Sequence, residues 1–141
     1  MGVVVKRVYE KAVRSDGKRV LVDRLWPRGI RKEAAGINAW LKPLAPSNGL
    51  RQWFHAHPEE WTSFRKRYLE ELNGSEAAEA LEELYRLVYG HGRVTLLFAS
   101  KNKERNNAVV LKELLEGMRK PPSGTPTAPA ASARSRARGR R

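Results

Sequence analysis

Short apolar segments separated by helical patterns constrain the fold more than any other feature of this 141-residue chain. Residues 19–26 (RVLVDRLW) and 93–99 (RVTLLFA) are rich in β-branched and large aliphatic residues, which predicts strands with both faces covered. Another such strand begins at Val3 and reaches Tyr9. Helical patterns separate the second strand from the third, so these two can run parallel. We therefore expect an α/β fold with a small three-stranded, at least partly parallel sheet flanked by helices. The first strand can pair with the second as a hairpin or lie parallel to it.

The segments between and after the strands show the periodicity of amphipathic helices. Apolar residues at three- and four-residue spacing predict helices over 30–41, 48–56, 61–72, 75–90 and 108–118. The third of these has the firmest pattern, because its apolar side chains recur regularly and an Asn-Gly pair ends it. The helix over 30–41 has the weakest pattern, because it contains Gly36.

Positive charge is concentrated toward the two ends of the chain. The sequence holds 28 Lys and Arg against 15 Asp and Glu, for a formal net charge of +13. No acidic residue lies in 119–141, a segment with four prolines and no large aliphatic or aromatic residue. Such a composition buries too little apolar surface to offset the entropy of ordering. We therefore expect one α/β domain over 1–118, followed by a disordered basic tail over 119–141.

Composition also excludes several classes of protein. The chain has no cysteine, which rules out disulfide scaffolds, cysteine nucleophiles and Cys-ligated zinc or iron–sulfur sites. No apolar run approaches the roughly 20 residues of a membrane span. A charge at Lys6 interrupts the N-terminal apolar run, so a signal peptide does not fit. We expect a cytoplasmic protein that does not contact a membrane, and the sequence leaves its oligomeric state open.

Polar residues follow two of the predicted strands and form the candidate site. Ligands of open α/β sheets bind beyond the carboxyl ends of parallel strands. One such end is residues 23–29 (DRLWPRG), and the other is the polar segment 100–107, which leads into the last helix. Unpaired N–H groups at a helix N-terminus favour an anion. The candidate site comprises Asp23 as a tentative catalytic residue and the ligand-binding residues Arg24, Arg28, Ser100, Lys101 and Arg105.

Each candidate has a functional and a structural interpretation. Arg28 can hold a phosphate or carboxylate through two hydrogen bonds, while Asp23 can accept a proton or simply hold an arginine in place. The same residues can equally form ion pairs and helix caps without binding any ligand. No P-loop or glycine-rich phosphate cradle is present. We expect neither a cofactor nor a metal, because the pair His55 and His57 would need irregular backbone and a third ligand.

Several strings of residues carry a family resemblance. They are KRVYE, the DG-x-RVLVDRLWPRG pattern, INAWLKPLAPS, LRQWFHAHP, W-x-x-F-x-x-RY-x-x-EL and VTLLFASK. Together they make residues 3–118 resemble the YeaO-like family of small bacterial proteins, and 119–141 lies outside the resemblance. The family resemblance implies a domain of unknown function and supplies no activity. More distantly, the two strand ends look like those of a broader α/β group whose members can carry a cysteine near the later strand. This chain has none, so thiol chemistry does not carry over.

Two hypotheses about function follow. The first is a binding protein that engages a phosphorylated ligand or a nucleic acid through a basic face, helped by the tail. The alternative is an enzyme that acts on a small anionic substrate at the strand-end site. A flat positive surface would favour binding, whereas a deep pocket joining Asp23 to 100–107 would favour catalysis.

Overall fold

The computed structural model describes residues 2–34 and 36–117, and these form a parallel sheet with helices packed against it. The strands are β1 (Gly2–Arg7), β2 (Lys18–Leu21), β3 (Ala39–Trp40) and β4 (Arg93–Phe98). Their order across the sheet is β1-β4-β2-β3, and every neighbouring pair is parallel. The helices are α1 (Asn48–Ala56), α2 (Trp61–Leu72), α3 (Ser75–His91) and α4 (Asn107–Gly117). The predicted α/β class is confirmed.

The sheet of the described residues has four strands, so the prediction of three was wrong. The extra strand, β3, lies in the segment 30–41 that the periodicity predicted to be helical. The Asn38 N–H donates to the Arg19 carbonyl at 2.8 Å, which begins a ladder with β2. Gly36 has a φ of +63°, a conformation that interrupts a right-handed helix. Pairing with a buried strand therefore overrides local spacing here.

The first strand lies beside β4, not beside β2. β1 pairs with β4 over its whole length, from Gly2 against Arg93 to Arg7 against Phe98. This settles the alternative left open by the sequence, since β1 and β2 form no hairpin and run parallel on either side of β4. As a result, the carboxyl ends of β1, β4 and β2 lie side by side at one edge of the sheet.

The predicted helices are largely confirmed. α1 and α2 have the predicted bounds, and α3 begins at Ser75 as expected but continues one residue past Gly90. α4 begins at Asn107, one residue earlier than predicted. Met118 and the basic segment 119–141 lie outside the described residues. No helix in the described part of the chain is long and apolar enough to cross a membrane.

The sheet has a hydrophobic cluster on each face. The larger cluster joins alternate strand residues such as Val20 and Leu96 to Phe64, Tyr68 and other residues of the helices. The smaller cluster is built from Val8, Leu21 and Leu97, against which the loop residues Trp26 and Ile30 pack. Since successive side chains of a strand point to opposite faces, the helices cover one face and loops cover the other.

An ion cluster fastens the loop between β1 and β2 to the sheet. The buried carboxylate of Asp16 accepts hydrogen bonds from Lys6 Nζ at 3.1 Å and from Arg19 at 2.5 Å. Its backbone carbonyl accepts a hydrogen bond from the Thr95 hydroxyl at 2.7 Å. Both strands that flank β4, and β4 itself, therefore contact this one residue.

Candidate functional site at the carboxyl end of the sheet

Asp23 and the segment 99–107 meet where β2 and β4 end. The Asp23 carboxylate accepts hydrogen bonds from the backbone N–H of Ala99 at 2.8 Å and from Asn107 Nδ2 at 3.1 Å. Asn107 Nδ2 also donates to the Val22 carbonyl at 2.9 Å. The structure thus brings together the two strand ends that the sequence singled out, with Asp23 directly beside the backbone that leads to Ser100.

Burial dominates the electrostatics of Asp23. It raises the pKa of the carboxyl group above its usual value, while hydrogen bonds from Ala99 and Asn107 and the positive charge of Arg51 oppose that rise. Each carboxylate oxygen has a protein donor. This arrangement suits a residue that positions the two strand ends, and its role as a proton acceptor stays a prediction.

Side chains of the 100–107 segment satisfy several of its own backbone donors. Asn102 Oδ1 accepts from the N–H groups of Glu104 and Arg105 at 3.0 and 2.9 Å. Asn106 Oδ1 accepts from Val109 N–H at 3.0 Å in the first turn of α4. An anion at this end of the sheet would therefore depend mainly on charged side chains, because these N–H groups already have partners.

Arg7 and Tyr9 connect the two candidate loops, and sequence reasoning missed both. Arg7 donates from Nε to the Ser100 carbonyl at 2.9 Å and from a terminal nitrogen to the Ala99 carbonyl at 3.1 Å. Its guanidinium lies 4.9 Å from the centre of the Tyr9 ring. The Tyr9 hydroxyl donates to the Arg28 carbonyl at 2.9 Å. Their position at the end of a strand was a usable signal, but only once β1 is known to lie beside β4.

Arg24 lies apart from the other predicted ligand-binding residues. Its guanidinium donates to the carbonyls of Ala45 and Pro46 at 3.3 and 3.2 Å. It lines a cleft of about 350 Å³ that also includes Glu71 and Ser75, at the start of α3. Arg24 is thus held by backbone carbonyls beside the helices, and no contact joins it to Arg28 or Lys101.

Cations without acidic partners mark the strand-end surface. The side chains of Arg28, Lys101 and Arg105 are exposed, and none forms an ion pair with a described residue. Lys103 lies 3.5 Å from Glu10 in an exposed pair, which water screens strongly. We call Arg7, Arg28, Lys101, Lys103 and Arg105 the basic edge.

Residues 2–34 and 36–117 contain no set of side chains arranged to bind a metal ion. No group of three or more His, Asp or Glu side chains there is placed to hold an ion. His57 closes α1, with its Nδ1 3.0 Å from the Trp53 carbonyl and its ring stacked on the Trp53 indole. In the part of the chain that the structure describes, this end of the sheet is therefore built from cations, amides and carboxylates, Asp23 and Glu10 among the last.

The chain is similar in sequence to uncharacterized bacterial proteins. It is 41% identical over 120 residues to the uncharacterized protein YeaO of Escherichia coli K12, covering 84% of this chain and all of that protein. It is 47% identical over 115 residues to the uncharacterized protein Rv3073c of Mycobacterium tuberculosis H37Rv, covering 82% of this chain and 94% of that protein. No solved structure matches the chain significantly.

The family match covers nearly the whole sequence. It spans residues 2–132 and therefore runs past 3–118, the extent of the resemblance, into the basic segment. The matching family is described as the inactive DUF488-N3 subclade. The chain therefore belongs to this subclade, within the YeaO-like family of uncharacterised proteins.

Proposed function

We propose that this protein binds phosphate groups, carried by a nucleic acid or by a smaller phosphorylated ligand, at its basic edge. The observation that carries the proposal is the presence of three exposed cations, Arg28, Lys101 and Arg105, without acidic partners among the described residues. Arginine can hold phosphate oxygens through two parallel hydrogen bonds, and lysine attracts them as a point charge.

The contacts at the basic edge give it a defined shape. Arg7 is bonded to two carbonyls of the loop after β4, and Tyr9 is bonded to the loop after β2. These bonds link the loop that carries Arg28 to the loop that carries Lys101 and Arg105. A pre-arranged set of cations loses less conformational entropy on binding than cations on independent mobile loops.

The alternative of an enzyme at Asp23 has less support. Both carboxylate oxygens accept hydrogen bonds from the protein, and these bonds give Asp23 a structural role at the strand ends that needs no substrate. Two clefts, of about 350 and 600 Å³, lie around Ser47 and Glu71, and neither is lined by Asp23 or by a residue of 100–107. The description of the subclade as inactive also favours binding over catalysis.

Charge removal at the basic edge tests the proposal. We expect the triple variant Arg28→Gln, Lys101→Gln, Arg105→Gln to bind labelled DNA or RNA more weakly than the native chain. If all three cations contact duplex phosphates, the slope of log affinity against log salt should become shallower by about 2–3 units. Fluorescence anisotropy at several salt concentrations measures both quantities, and pyrophosphate as a competitor reports on small phosphorylated ligands.

The matched control removes three cations from the helical side. Lys66→Gln, Arg86→Gln, Lys112→Gln changes the net charge equally but alters positions on α2, α3 and α4, of which Lys66 and Arg86 are exposed and Lys112 is half-buried. Arg86 and Lys112 pair with Glu82 and Glu116 of their own helices. The proposal requires the basic-edge variant to lose clearly more affinity than this control. Equal losses would mean that only net charge matters, and the site would be abandoned. It would be abandoned as well if the native chain bound no polyanion at low salt.

A further inference from the structure

Tyr9 places an accessible aromatic ring within the basic edge. The residue is 45% exposed, so part of its ring is accessible from solvent. Among the described residues, no other aromatic ring stacks on it. The Arg7 guanidinium lies against it, 4.9 Å from the ring centre.

Hydrogen bonds fix both the hydroxyl of this ring and the cation that lies against it. The hydroxyl of Tyr9 is bonded to the Arg28 carbonyl at 2.9 Å. The Arg7 side chain beneath the ring is bonded to the Ser100 and Ala99 carbonyls. The ring and its cation therefore form a platform that needs little further ordering before a flat group stacks on it.

The loops that hold the platform also carry exposed cations. Arg28, whose carbonyl holds the Tyr9 hydroxyl, has an exposed side chain. Lys101 directly follows Ser100, whose carbonyl holds Arg7. A flat ring on loops that carry phosphate-attracting cations suits a nucleotide strand, which offers both bases and phosphates.

We infer that the partner of the basic edge is a single-stranded nucleic acid, with one base stacked on the open face of Tyr9. The inference rests on the proposed phosphate binding and adds the class of partner. In a duplex, both faces of each base are covered by its neighbours, so only an unpaired base can stack on Tyr9. Phosphates on either side of that base would then contact Arg28 and Lys101.

Substitution of Tyr9 separates stacking from charge. Tyr9→Ala keeps every cation and should weaken binding of an oligothymidine of about 20 nucleotides by roughly 5- to 150-fold, the range for one stacked base. Tyr9→Phe loses only the hydroxyl bond and should retain most of the affinity. Duplex DNA of the same length and heparin should bind both variants within about twofold of the native chain, because they offer only charge. Anisotropy measures all of these affinities, and circular dichroism verifies that each variant is folded.

The control is Tyr89→Ala, which removes an exposed tyrosine from α3 and should leave all affinities unchanged. If Tyr9→Ala binds oligothymidine as tightly as the native chain, the inference is overturned, while phosphate binding stands or falls with the triple variant. It is also overturned if Tyr9→Ala weakens heparin and oligothymidine equally.

Exposed apolar side chains among cations can also bind an anionic membrane, so a membrane is the competing partner to test. Leu25, 61% exposed, lies in the same loop as Arg28. Vesicles containing phosphatidylserine provide the test. Binding to vesicles without binding to oligothymidine, duplex or heparin would overturn both this inference and the proposed function.

Discussion

The Ala99 N–H donates to the Asp23 carboxylate at 2.8 Å. If the ladder between β2 and β4 continued regularly, this N–H would donate to the Val22 carbonyl. Val22 still donates to the Leu97 carbonyl at 3.2 Å, so the ladder is regular up to that point. The Val22 carbonyl instead accepts from Asn107 Nδ2. Two side chains thus end the strand pair and tie it to the first residue of α4.

Removing the Asp23 side chain should destabilise the fold. Asp23→Ala leaves the Ala99 N–H and one Asn107 donor without their partner. An unsatisfied buried donor costs about 1–3 kcal/mol; since both hydrogen bonds here are only partly buried, we expect the free energy of unfolding to fall by about 1–3 kcal/mol in total. Urea denaturation followed by circular dichroism measures the change. Glu104→Ala, an exposed position in the adjoining loop, should change stability by less than about 0.5 kcal/mol. Equal stability of both variants would contradict the structural role of Asp23.

The cluster around Asp16 should make stability depend on pH. Burial alone would raise the pKa of this carboxyl, but hydrogen bonds from Val13 N–H, Lys6 and Arg19 outweigh it and hold the pKa below its usual value. A carboxyl with a lowered pKa in the folded state stabilises the protein above its unfolded pKa, and that contribution is lost as pH falls through the folded value.

Asp16→Asn should therefore cost most at neutral pH. The substitution removes the negative charge that faces the nearly buried guanidinium of Arg19 and the ammonium group of Lys6, which we expect to cost about 3 kcal/mol or more. Urea denaturation at several pH values should show the difference between the variant and the native chain shrinking below about pH 4, where Asp16 of the unfolded chain takes up a proton before Asp16 of the folded protein does. A difference that stayed constant with pH would show that the ion pairs do not account for the loss.

Local patterns predicted the helices well because each helix buries a stripe that recurs along its own sequence. Phe64, Tyr68 and Leu72 of α2 are all buried, as their spacing requires. The sequence pattern did not predict strand β3, because a strand of two residues is too short to show a periodic pattern. Its pairing also depends on hydrogen bonds to β2, which lies nearly 20 residues earlier in the chain.

The residues of the candidate site also differ in whether local sequence could predict them. The rule that parallel strand ends meet placed Asp23 beside 99–107 without any structure, because both segments could be recognised locally. Arg7 and Tyr9 escaped because only the tertiary order puts β1 beside β4. The Arg24 guanidinium points toward the carbonyls of Ala45 and Pro46 because a loop folds back beside it. The spacing of apolar residues along the sequence does not predict such a fold-back.

Two glycines with positive φ should respond differently to alanine. Gly17 has a φ of +66° and ψ of −137°, a region open essentially to glycine alone, and an added Cβ would lie 2.2 Å from the Arg93 carbonyl oxygen. Gly29 has a φ of +81°, but an added Cβ would meet no atom within 4 Å. We expect Gly17→Ala to cost about 3 kcal/mol or more and Gly29→Ala about 1–2 kcal/mol. Thermal and urea unfolding of the two variants measure the difference, and equal costs would show that the close approach to β4 is absent.

The basic segment 119–141 should add affinity for polyanions without adding stability. It carries seven Lys and Arg residues and no acid, and its composition offers little apolar surface to bury. A chain ending at Met118 should keep its free energy of unfolding within about 1 kcal/mol of the full chain. The same truncation should make the salt slope for duplex DNA shallower by up to about 5–6 units, if most of the seven charges contact phosphates.

A full chain lacking Arg28, Lys101 and Arg105 keeps the segment and so separates its contribution from that of the basic edge. A much larger loss of stability on truncation would mean that the segment packs on the domain, and an unchanged salt slope would mean that it makes no phosphate contacts.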